Sequence, residues 1–201
     1  MIRLGVIGLG AAGQAFLPAI KRHDRVKLAA VCDVSIEAVE EFGEAYVVPG
    51  FTRIDSMLVK SDIDAVYIGT PTDLHLDHAM QALSAGKHVL LEKPMALTSG
   101  DCRKLADLAA SRDLAMVIGH SHSHDLPIRT MREIVQSGRL GKVCSADSWC
   151  YSDWVYRPRR PEELRPELGG GVTFRQGAHQ FDILSALAMS PVRSVKSRTF
   201  D

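Results

Sequence analysis

Short apolar runs alternate through the first 119 residues with longer segments in which apolar residues recur at helical spacing. The apolar runs predict six strands, at residues 2–7, 26–32, 46–48, 64–69, 87–91 and 114–119. The segments between them predict helices at residues 14–20, 35–44, 55–60, 76–83 and 98–112. Because strands alternate with helices, we predict an α/β fold with a doubly wound parallel sheet, for which six strands is a complete set.

The pattern changes near residue 120, where we place a domain boundary. Residues 125–137 and 175–189 predict helices, 142–150 predict a strand of alternating polarity, and 192–200 begin another strand. A polar loop occupies 151–169. These few elements can bury little apolar surface, so we interpret 1–120 as a complete domain and 121–201 as an incomplete α+β domain.

The loop after the first strand has the sequence Gly8-Leu9-Gly10-Ala11-Ala12-Gly13 and leads into a helix. Strand, G-x-G-x-x-G and helix in this order are typical of a dinucleotide-binding turn. Gly8 permits the tight turn, Gly10 lets a pyrophosphate approach the backbone, and Gly13 lets the helix pack on the strand. The free N–H groups of the helix N-terminus, at Ala11 and Ala12, then face the phosphates.

An acidic residue supports this interpretation. Asp33 ends the second strand and follows Gly13 by 20 residues, the spacing at which a carboxylate accepts hydrogen bonds from the adenosine ribose. The alternative is that Asp33 caps the helix that begins near Ser35. Asp33 would repel a 2′-phosphate and Val34-Ser35 supplies no cation, so we expect NAD as cofactor, with NADP possible.

Composition narrows the classes of partner. The chain has 24 basic and 24 acidic residues, and this zero net charge gives no reason to expect nucleic acid or an anionic membrane. No apolar run approaches the ~20 residues that span a bilayer. The apolar start belongs to the glycine motif, so we expect no signal peptide. The four cysteines form no C-x-x-C pair, which is typical of reduced thiols in a cytoplasmic protein.

Three histidines alternate after the sixth predicted strand: His120, His122 and His124. In an extended segment they would share one face, as metal ligands can. No acidic or cysteine cluster with ligand spacing accompanies them, so we expect no metal. A metal-dependent hydrolase is the weakest functional alternative. The three histidines are better interpreted as a polar wall beside the cofactor or the substrate, with His120 as a substrate-binding residue.

Further motifs accompany the glycine loop. They are Gly69-Thr70-Pro71-Thr72 with His75, Gly86-Lys87-His88-Val89 before Glu92-Lys93-Pro94, and Gly169-Gly170-Gly171 with Gly177, His179 and Asp182. Through these motifs the whole chain resembles the Gfo/Idh/MocA oxidoreductases. Within that family it is similar to the phthalate 4,5-cis-dihydrodiol dehydrogenase group, through Asp153-Trp154, Arg157-Pro158-Arg159, 161–164 and 175–180.

The resemblance implies a Rossmann domain followed by a domain with a large, mostly antiparallel open sheet, in a homo-oligomer. Relatives have a longer second domain, so this one looks cut short. The resemblance also implies a set of cofactor-binding residues beyond the glycine loop and Asp33, namely Thr70, Pro71, Thr72, His75, Glu92 and Lys93.

Lys93 is the first catalytic candidate. It follows the fifth strand, at the carboxyl edge of the sheet where such folds bind ligands. Held near a nicotinamide, it could hydrogen-bond the reacting oxygen, and Pro94 gives a Lys93–Pro94 bond that is usually cis in the family. The alternative for Lys93 is a surface lysine in a turn. We expect Glu92 to contact the nicotinamide ribose, and its alternative is a solvated strand end.

His179 is the second catalytic candidate, and Arg175 is four residues before it, on one face of a predicted helix. The family usually has aspartate where this chain has Arg175, so sugar or inositol specificity is in doubt. An arginine cannot accept a proton but binds a carboxylate well, so we expect an anionic substrate. Further arginines in the 151–169 loop could add to this cationic pocket, although each is better interpreted as a loop residue paired with a glutamate: Arg157, Arg159 and Arg160, with Glu162, Glu163 and Glu167.

These observations favour an NAD(P)-dependent dehydrogenase of a small cyclic alcohol or dihydrodiol that carries a carboxylate. Lys93 or His179 would accept the hydroxyl proton as a hydride leaves. The alternative from another class is a nucleotide-binding protein without turnover, such as an inactive truncated homologue.

Overall fold

The computed structural model describes residues 1–151, 153 and 156–198. Six parallel strands form one sheet in the order β3-β2-β1-β4-β5-β6. The strands are β1 (Ile2–Ile7), β2 (Val26–Cys32), β3 (Gly50–Phe51), β4 (Ala65–Ile68), β5 (His88–Leu91) and β6 (Met116–Ile118). The predicted doubly wound sheet with six strands is therefore confirmed, and the order reverses between β1 and β4.

Helices connect successive strands and continue beyond the sheet. They are α1 (Ala11–Lys21), α2 (Ile36–Tyr46), α3 (Ile54–Lys60), α4 (His75–Ser84), α5 (Ser99–Ser111), α6 (Leu126–Gln136), α7 (Pro161–Leu164) and α8 (Ala178–Ala188). Single 3₁₀ turns precede α4 at Thr72–Leu74 and α6 at Ser121–His124, and another lies at Pro166–Leu168. None of the described helices is both long and apolar enough to cross a membrane.

Apolar side chains cover both faces of the sheet. On one face Leu17 of α1 packs with Val6 of β1 and Tyr67 of β4. On the other face Met57 of α3 and Leu83 of α4 belong to one buried cluster with strand residues. This two-sided burial explains why the strands have near-continuous apolar sequences.

The third strand differs from its prediction at residues 46–48. Tyr46 ends α2, and Val47 is 90% exposed with a left-handed backbone, φ 53°. The strand is instead Gly50–Phe51, because this segment forms the hydrogen bonds to β2. The N–H of Val31 donates to the carbonyl oxygen of Pro49, and the N–H of Asp33 donates to that of Phe51. Ladder pairing, rather than apolar content, decides where this short strand lies.

The chain folds into two compact units. The first comprises Met1–Gly119 and Arg165–Gly169, and the second comprises His120–Leu164 and Gly170–Asp201 as far as the structure describes them. The first unit contains the sheet. The second contains α6, α7 and α8, and α8 is preceded by a π-helical turn at Thr173–Gly177.

The strand predicted at 142–150 is not formed, since these residues have no regular secondary structure. The same holds for 192–198, and residues 199–200 of that prediction lie outside the described part. A strand needs a hydrogen-bonded neighbour, and the described residues of the second unit offer none. Of the resemblance to the dihydrodiol dehydrogenases, Trp154 also lies outside the described residues.

The close packing of α1 on β1 predicts a stability difference between two glycines. A Cβ at Gly13 would lie 2.0 Å from the carbonyl oxygen of Gly8, whereas one at Gly10 would meet nothing within 4 Å. We expect Gly13→Ala to lower the free energy of unfolding by about 2 kcal/mol or more, and the matched control Gly10→Ala by less than ~1 kcal/mol. Urea unfolding measures both, and equal losses would contradict the packing argument.

Candidate functional site

The glycine loop connects the carboxyl end of β1 to α1 at the reversal point of the sheet. Gly8 has a φ of +90°, and a Cβ there would lie 2.9 Å from the backbone of Gly69 and Thr70, so this turn requires glycine. Gly10, in contrast, is exposed and faces open space. Two glycines of the motif therefore serve internal packing, and Gly10 leaves the backbone accessible to a ligand.

The N-terminus of α1 has no side-chain cap. Its N-cap is Gly10, whereas α2 is capped by the hydroxyl of Ser35 and α5 by that of Thr98. Uncapped amides at Ala11 and Ala12 together with the positive end of the helix dipole form an anion-binding position. The residues present therefore fit a pyrophosphate, and the predicted role of the loop is consistent with its geometry.

Asp33 lies beside this loop. Its Oδ2 accepts a hydrogen bond from the N–H of Leu9 at 2.7 Å, and its Oδ1 accepts one from the N–H of Ser35 at 3.0 Å. The cap of α2 is Ser35, whose hydroxyl accepts the N–H of Ala38, so the alternative role of Asp33 as that cap does not hold. Each carboxylate oxygen keeps a second lone pair, which leaves Asp33 able to accept a hydroxyl hydrogen from a ligand.

The loop after β4 contains Thr70, Pro71 and Thr72. Pro71 is exposed, and Thr72 is buried within the first unit, where a Cβ at Gly169 would lie 2.8 Å from its methyl group. The hydroxyl of Thr70 lies 3.0 Å from Nδ1 of His78, a contact that the sequence motifs did not predict. Of these three residues, Pro71 is the most open to a ligand.

His75, which the resemblance implies to be a cofactor-binding residue, is buried between two loops. The side chain is 1% exposed, with Nδ1 2.9 Å from the carbonyl oxygen of Pro94 and Nε2 2.9 Å from that of Thr70. Both ring nitrogens therefore face backbone groups, and His75 acts on the loops rather than presenting a polar atom to a ligand.

Glu92 directly follows β5 and is held on both oxygens. Tyr67 of β4 donates its hydroxyl to Oε1 at 3.0 Å, and the N–H of Lys93 donates to Oε2 at 3.2 Å. The ring of Phe16 in α1 stacks on Tyr67 with centroids 4.3 Å apart. Burial and the Glu92 charge raise the pKa of the Tyr67 phenol, which therefore stays a donor. Sequence reasoning missed Tyr67, because its partner is 25 residues away.

Lys93 is half-buried at the carboxyl edge of the sheet, next to Glu92, and the Lys93–Pro94 peptide bond is cis. Lys93 also has a further interaction within the protein. Its place beside the ends of β4 and β5 is on the opposite side of β1 from Asp33. The first unit thus holds Asp33 and Lys93 on either side of the glycine loop.

In the second unit the histidines gather around His179, which is 6% exposed at the start of α8. His122 stacks on it with ring centroids 4.0 Å apart, and His120 meets its edge at 6.2 Å. The segment that carries His122 is a 3₁₀ helix, not the extended strand assumed for a common face. Within the described residues, no group of three or more histidine, cysteine or acidic side chains has a metal-binding arrangement.

Arg175 has an internal carboxylate partner. Its Nη2 lies 2.8 Å from Oε1 of Glu163, whose side chain is 15% exposed. The N–H of Arg160 donates to the other oxygen at 3.1 Å. Burial opposes ionisation of Glu163, but this amide and the Arg175 charge hold the pKa of the carboxyl below its usual value. The guanidinium of Arg175 is therefore paired within the protein, and a substrate carboxylate would have to compete with Glu163 for it.

Helix geometry also changes the relation of Arg175 to His179. Arg175 lies in the π-helical turn Thr173–Gly177, so a spacing of four residues no longer defines a common face. In the neighbouring loop Arg157 pairs with Asp153 at 2.8 Å, whereas Arg165 pairs with Glu167 at the same distance. Of the arginines for which a glutamate partner was the alternative, Arg160 lies 3.8 Å from Glu163, whereas the partner of Arg157 is an aspartate.

Comparison with known proteins covers both parts of the chain. Residues 2–120 match the model of the Gfo/Idh/MocA "oxidoreductase family, NAD-binding Rossmann fold", and residues 128–200 match a Gfo/Idh/MocA C-terminal domain. A 1-carboxy-3-chloro-3,4-dihydroxycyclohexa-1,5-diene dehydrogenase of Comamonas testosteroni is 43% identical over 98% of this chain and 50% of its own. A dTDP-3,4-didehydro-2,6-dideoxy-α-D-glucose 3-reductase of Streptomyces violaceoruber is 30% identical over 96% of this chain and 56% of its own.

Solved structures agree with these relatives. One from Bordetella bronchiseptica RB50 has a TM-score of 0.90 and 37% identity, and covers 94% of this chain and 50% of its own. The WlbA dehydrogenase of Bordetella pertussis, in complex with NADH and UDP-GlcNAcA, has a TM-score of 0.81 and 25% identity, over 92% of this chain and 59% of its own. The chain spans about half the length of the curated relatives it matches. It belongs to the Gfo/Idh/MocA oxidoreductase family, and its first unit is that family's NAD-binding Rossmann fold.

Proposed function

We propose that this protein is an NAD-dependent dehydrogenase that oxidises a CH–OH group of a small cyclic diol bearing a carboxylate. The observation that carries the proposal is the first unit's layout. The uncapped N-terminus of α1 and the open Gly10 stand between Asp33 on one side and Lys93 on the other, all at one edge of the sheet. An adenosine ribose, a pyrophosphate and a reacting centre need these three positions in this order.

Bound NAD supplies a carbon that accepts a hydride from the substrate. The protein supplies binding and proton transfer. Asp33 accepts ribose hydrogen bonds, the amides of Ala11 and Ala12 bind phosphate oxygens, and Pro71 lines the open side of the loop after β4. Lys93 is our first choice for the group that accepts the hydroxyl proton, and His179 is the second. The Tyr67 hydroxyl and the Lys93 amide hold Glu92 in place, from which it can accept a hydrogen bond from the second ribose.

Two observations support the proposed substrate class. The Comamonas relative is named for a carboxylated cyclic diol, and this chain has Arg175 where the resemblance to the family implies an acid. Arg175 already binds a carboxylate, that of Glu163, at 2.8 Å. We therefore expect a substrate carboxylate to replace Glu163 on the guanidinium, and His120 to contribute to substrate binding. We also expect a homo-oligomer in the cytoplasm.

For a cis-dihydrodiol, loss of hydride and proton gives a hydroxyketone, which tautomerises to an aromatic catechol. The gain of aromaticity would make oxidation the favoured direction. Reduction of a ketone sugar would lack this driving force.

Our first functional prediction concerns cofactor choice. NADH should bind this chain more tightly than NADPH, because the Asp33 carboxylate repels a 2′-phosphate. Asp33→Ala should weaken NADH binding about tenfold while NADPH binding changes little. Fluorescence titration measures both affinities, and Asp55→Ala, on the exposed surface, is the control. NADPH binding as tightly as NADH to the unaltered chain would contradict the role of Asp33.

Lys93 is tested separately from cofactor binding. In a catalytically competent form of the protein, Lys93→Ala should abolish turnover while NADH affinity stays within about tenfold, because only the chemical step loses its proton acceptor. The exposed Lys60→Ala is the matched control. Most of the kcat surviving in the Lys93 variant, together with its loss in His179→Ala, would transfer the proton-accepting role to His179.

If the substrate is anionic, substitutions of Arg175 and of its partner Glu163 should change substrate affinity in opposite directions. Arg175→Ala should weaken binding of a cyclic or aromatic carboxylate about tenfold or more, and that of its amide little, because only the acid forms a charge-assisted pair. Glu163→Gln should instead tighten binding of the acid, since it removes a competing carboxylate. Arg157→Ala, which breaks the pair with Asp153, is the control. Equal losses for acid and amide in Arg175→Ala would make Arg175 a structural residue.

A further inference from the structure

His75 connects two loops that are distant in sequence and adjacent in space. Its ring is buried, with Nε2 2.9 Å from the carbonyl oxygen of Thr70 and Nδ1 2.9 Å from that of Pro94. Thr70 belongs to the loop after β4 and Pro94 to the loop after β5. All three residues lie in the first unit, so the contacts belong to one compact body.

The two loops begin where the hydrogen-bonded ladder between β4 and β5 ends. The β4–β5 ladder ends with the pair Ile68 and Leu91, and the next bond is the N–H of Glu92 donating to Ile68 at 2.9 Å. Beyond that point, in the part of the chain that the structure describes, no backbone hydrogen bond joins the two loops directly. Beyond the end of the ladder, the imidazole of His75 lies between the two loops and contacts a carbonyl oxygen of each.

Both contacts of His75 join a ring nitrogen to a backbone carbonyl oxygen. Carbonyl oxygens only accept, so each contact becomes a hydrogen bond only if its ring nitrogen carries a proton. Burial lowers the pKa of His75 and outweighs the carbonyls of Pro94 and Thr70 and the charges of Glu92 and Asp73, which act in the opposite direction, so the ring is neutral near pH 7. The neutral ring donates one hydrogen bond, to Thr70 or to Pro94 according to its tautomer, and its other nitrogen packs against the second loop, so substitutions can separate the two contacts.

We propose that His75 is a positioning residue that links the Thr70 and Pro94 loops and thereby shapes the nicotinamide half of the cofactor site. This inference rests on the proposed function. Asp33 marks β2 and its side of β1 as the adenosine half, so the loops after β4 and β5 serve the other half of a doubly wound site. Lys93 lies between the Glu92 contacts and Pro94, and its backbone is fixed on both sides.

The test compares NADH with ADP, which occupies only the adenosine and pyrophosphate positions. His75→Leu removes both ring nitrogens and with them the contact to each loop. His75→Asn keeps an amide nitrogen near the position of Nδ1 and serves the Pro94 contact, and His75→Gln keeps one near Nε2 and serves the Thr70 contact. His23→Asn, on the surface, is the matched control for the change of residue type. Calorimetric titration gives both dissociation constants, and thermal unfolding reports the fold.

We expect His75→Leu to weaken NADH about tenfold while ADP binding stays within about twofold, and Asn or Gln to restore part of the NADH affinity. Equal loss for NADH and ADP would overturn the inference and make His75 a residue of general stability. Unchanged NADH affinity in all three folded variants would also overturn it. Failure of the unaltered chain to bind ADP or NADH would overturn the proposed function itself, and the two failures are therefore distinguished.

Discussion

The parallel pairing of β1 with β2 on one side and β4 on the other determines where every loop of the cofactor site lies. Because all six strands run in the same direction, the loops after β1, β2, β4 and β5 emerge at one edge. The reversal of strand order next to β1 separates the helices that would otherwise close over that edge. Gly13 then allows α1 to approach β1 so closely that its uncapped end points at the opening.

Around this opening, the polar groups that would bind a ligand are already held by the protein. Asp33 accepts the Leu9 amide, Glu92 is bound by Tyr67 and by the Lys93 amide, and each interaction costs the carboxylate only one of its lone pairs. Groups held in this way lose little conformational entropy on binding. Preorganisation of the first unit is therefore a property of its internal hydrogen bonds.

In the second unit, polar side chains are also held by other side chains, through an ion pair and through stacked rings. The Arg175–Glu163 pair keeps a guanidinium neutralised in partly buried surroundings, where an uncompensated charge would be costly. His122 covers one face of His179 and so restricts its ring orientation. In its described part this unit consists of helices and irregular segments, so side-chain pairs rather than strand ladders hold its polar groups.

Local sequence patterns determined much of this protein. Apolar periodicity located five of the six strands and the helices between them, and the G-x-G-x-x-G spacing identified the turn from β1 into α1. These signals are local, because each depends on residues within one strand, turn or helix. Only the tertiary structure decided the rest. Register chose Gly50–Phe51 as the third strand, and folding joined His75 to Pro94 and Tyr67 to Glu92 across 19 and 25 residues. Glu163 met Arg175 through a turn that no periodicity predicted, and 142–150 stayed irregular because a strand pattern needs a partner strand that the described chain does not provide.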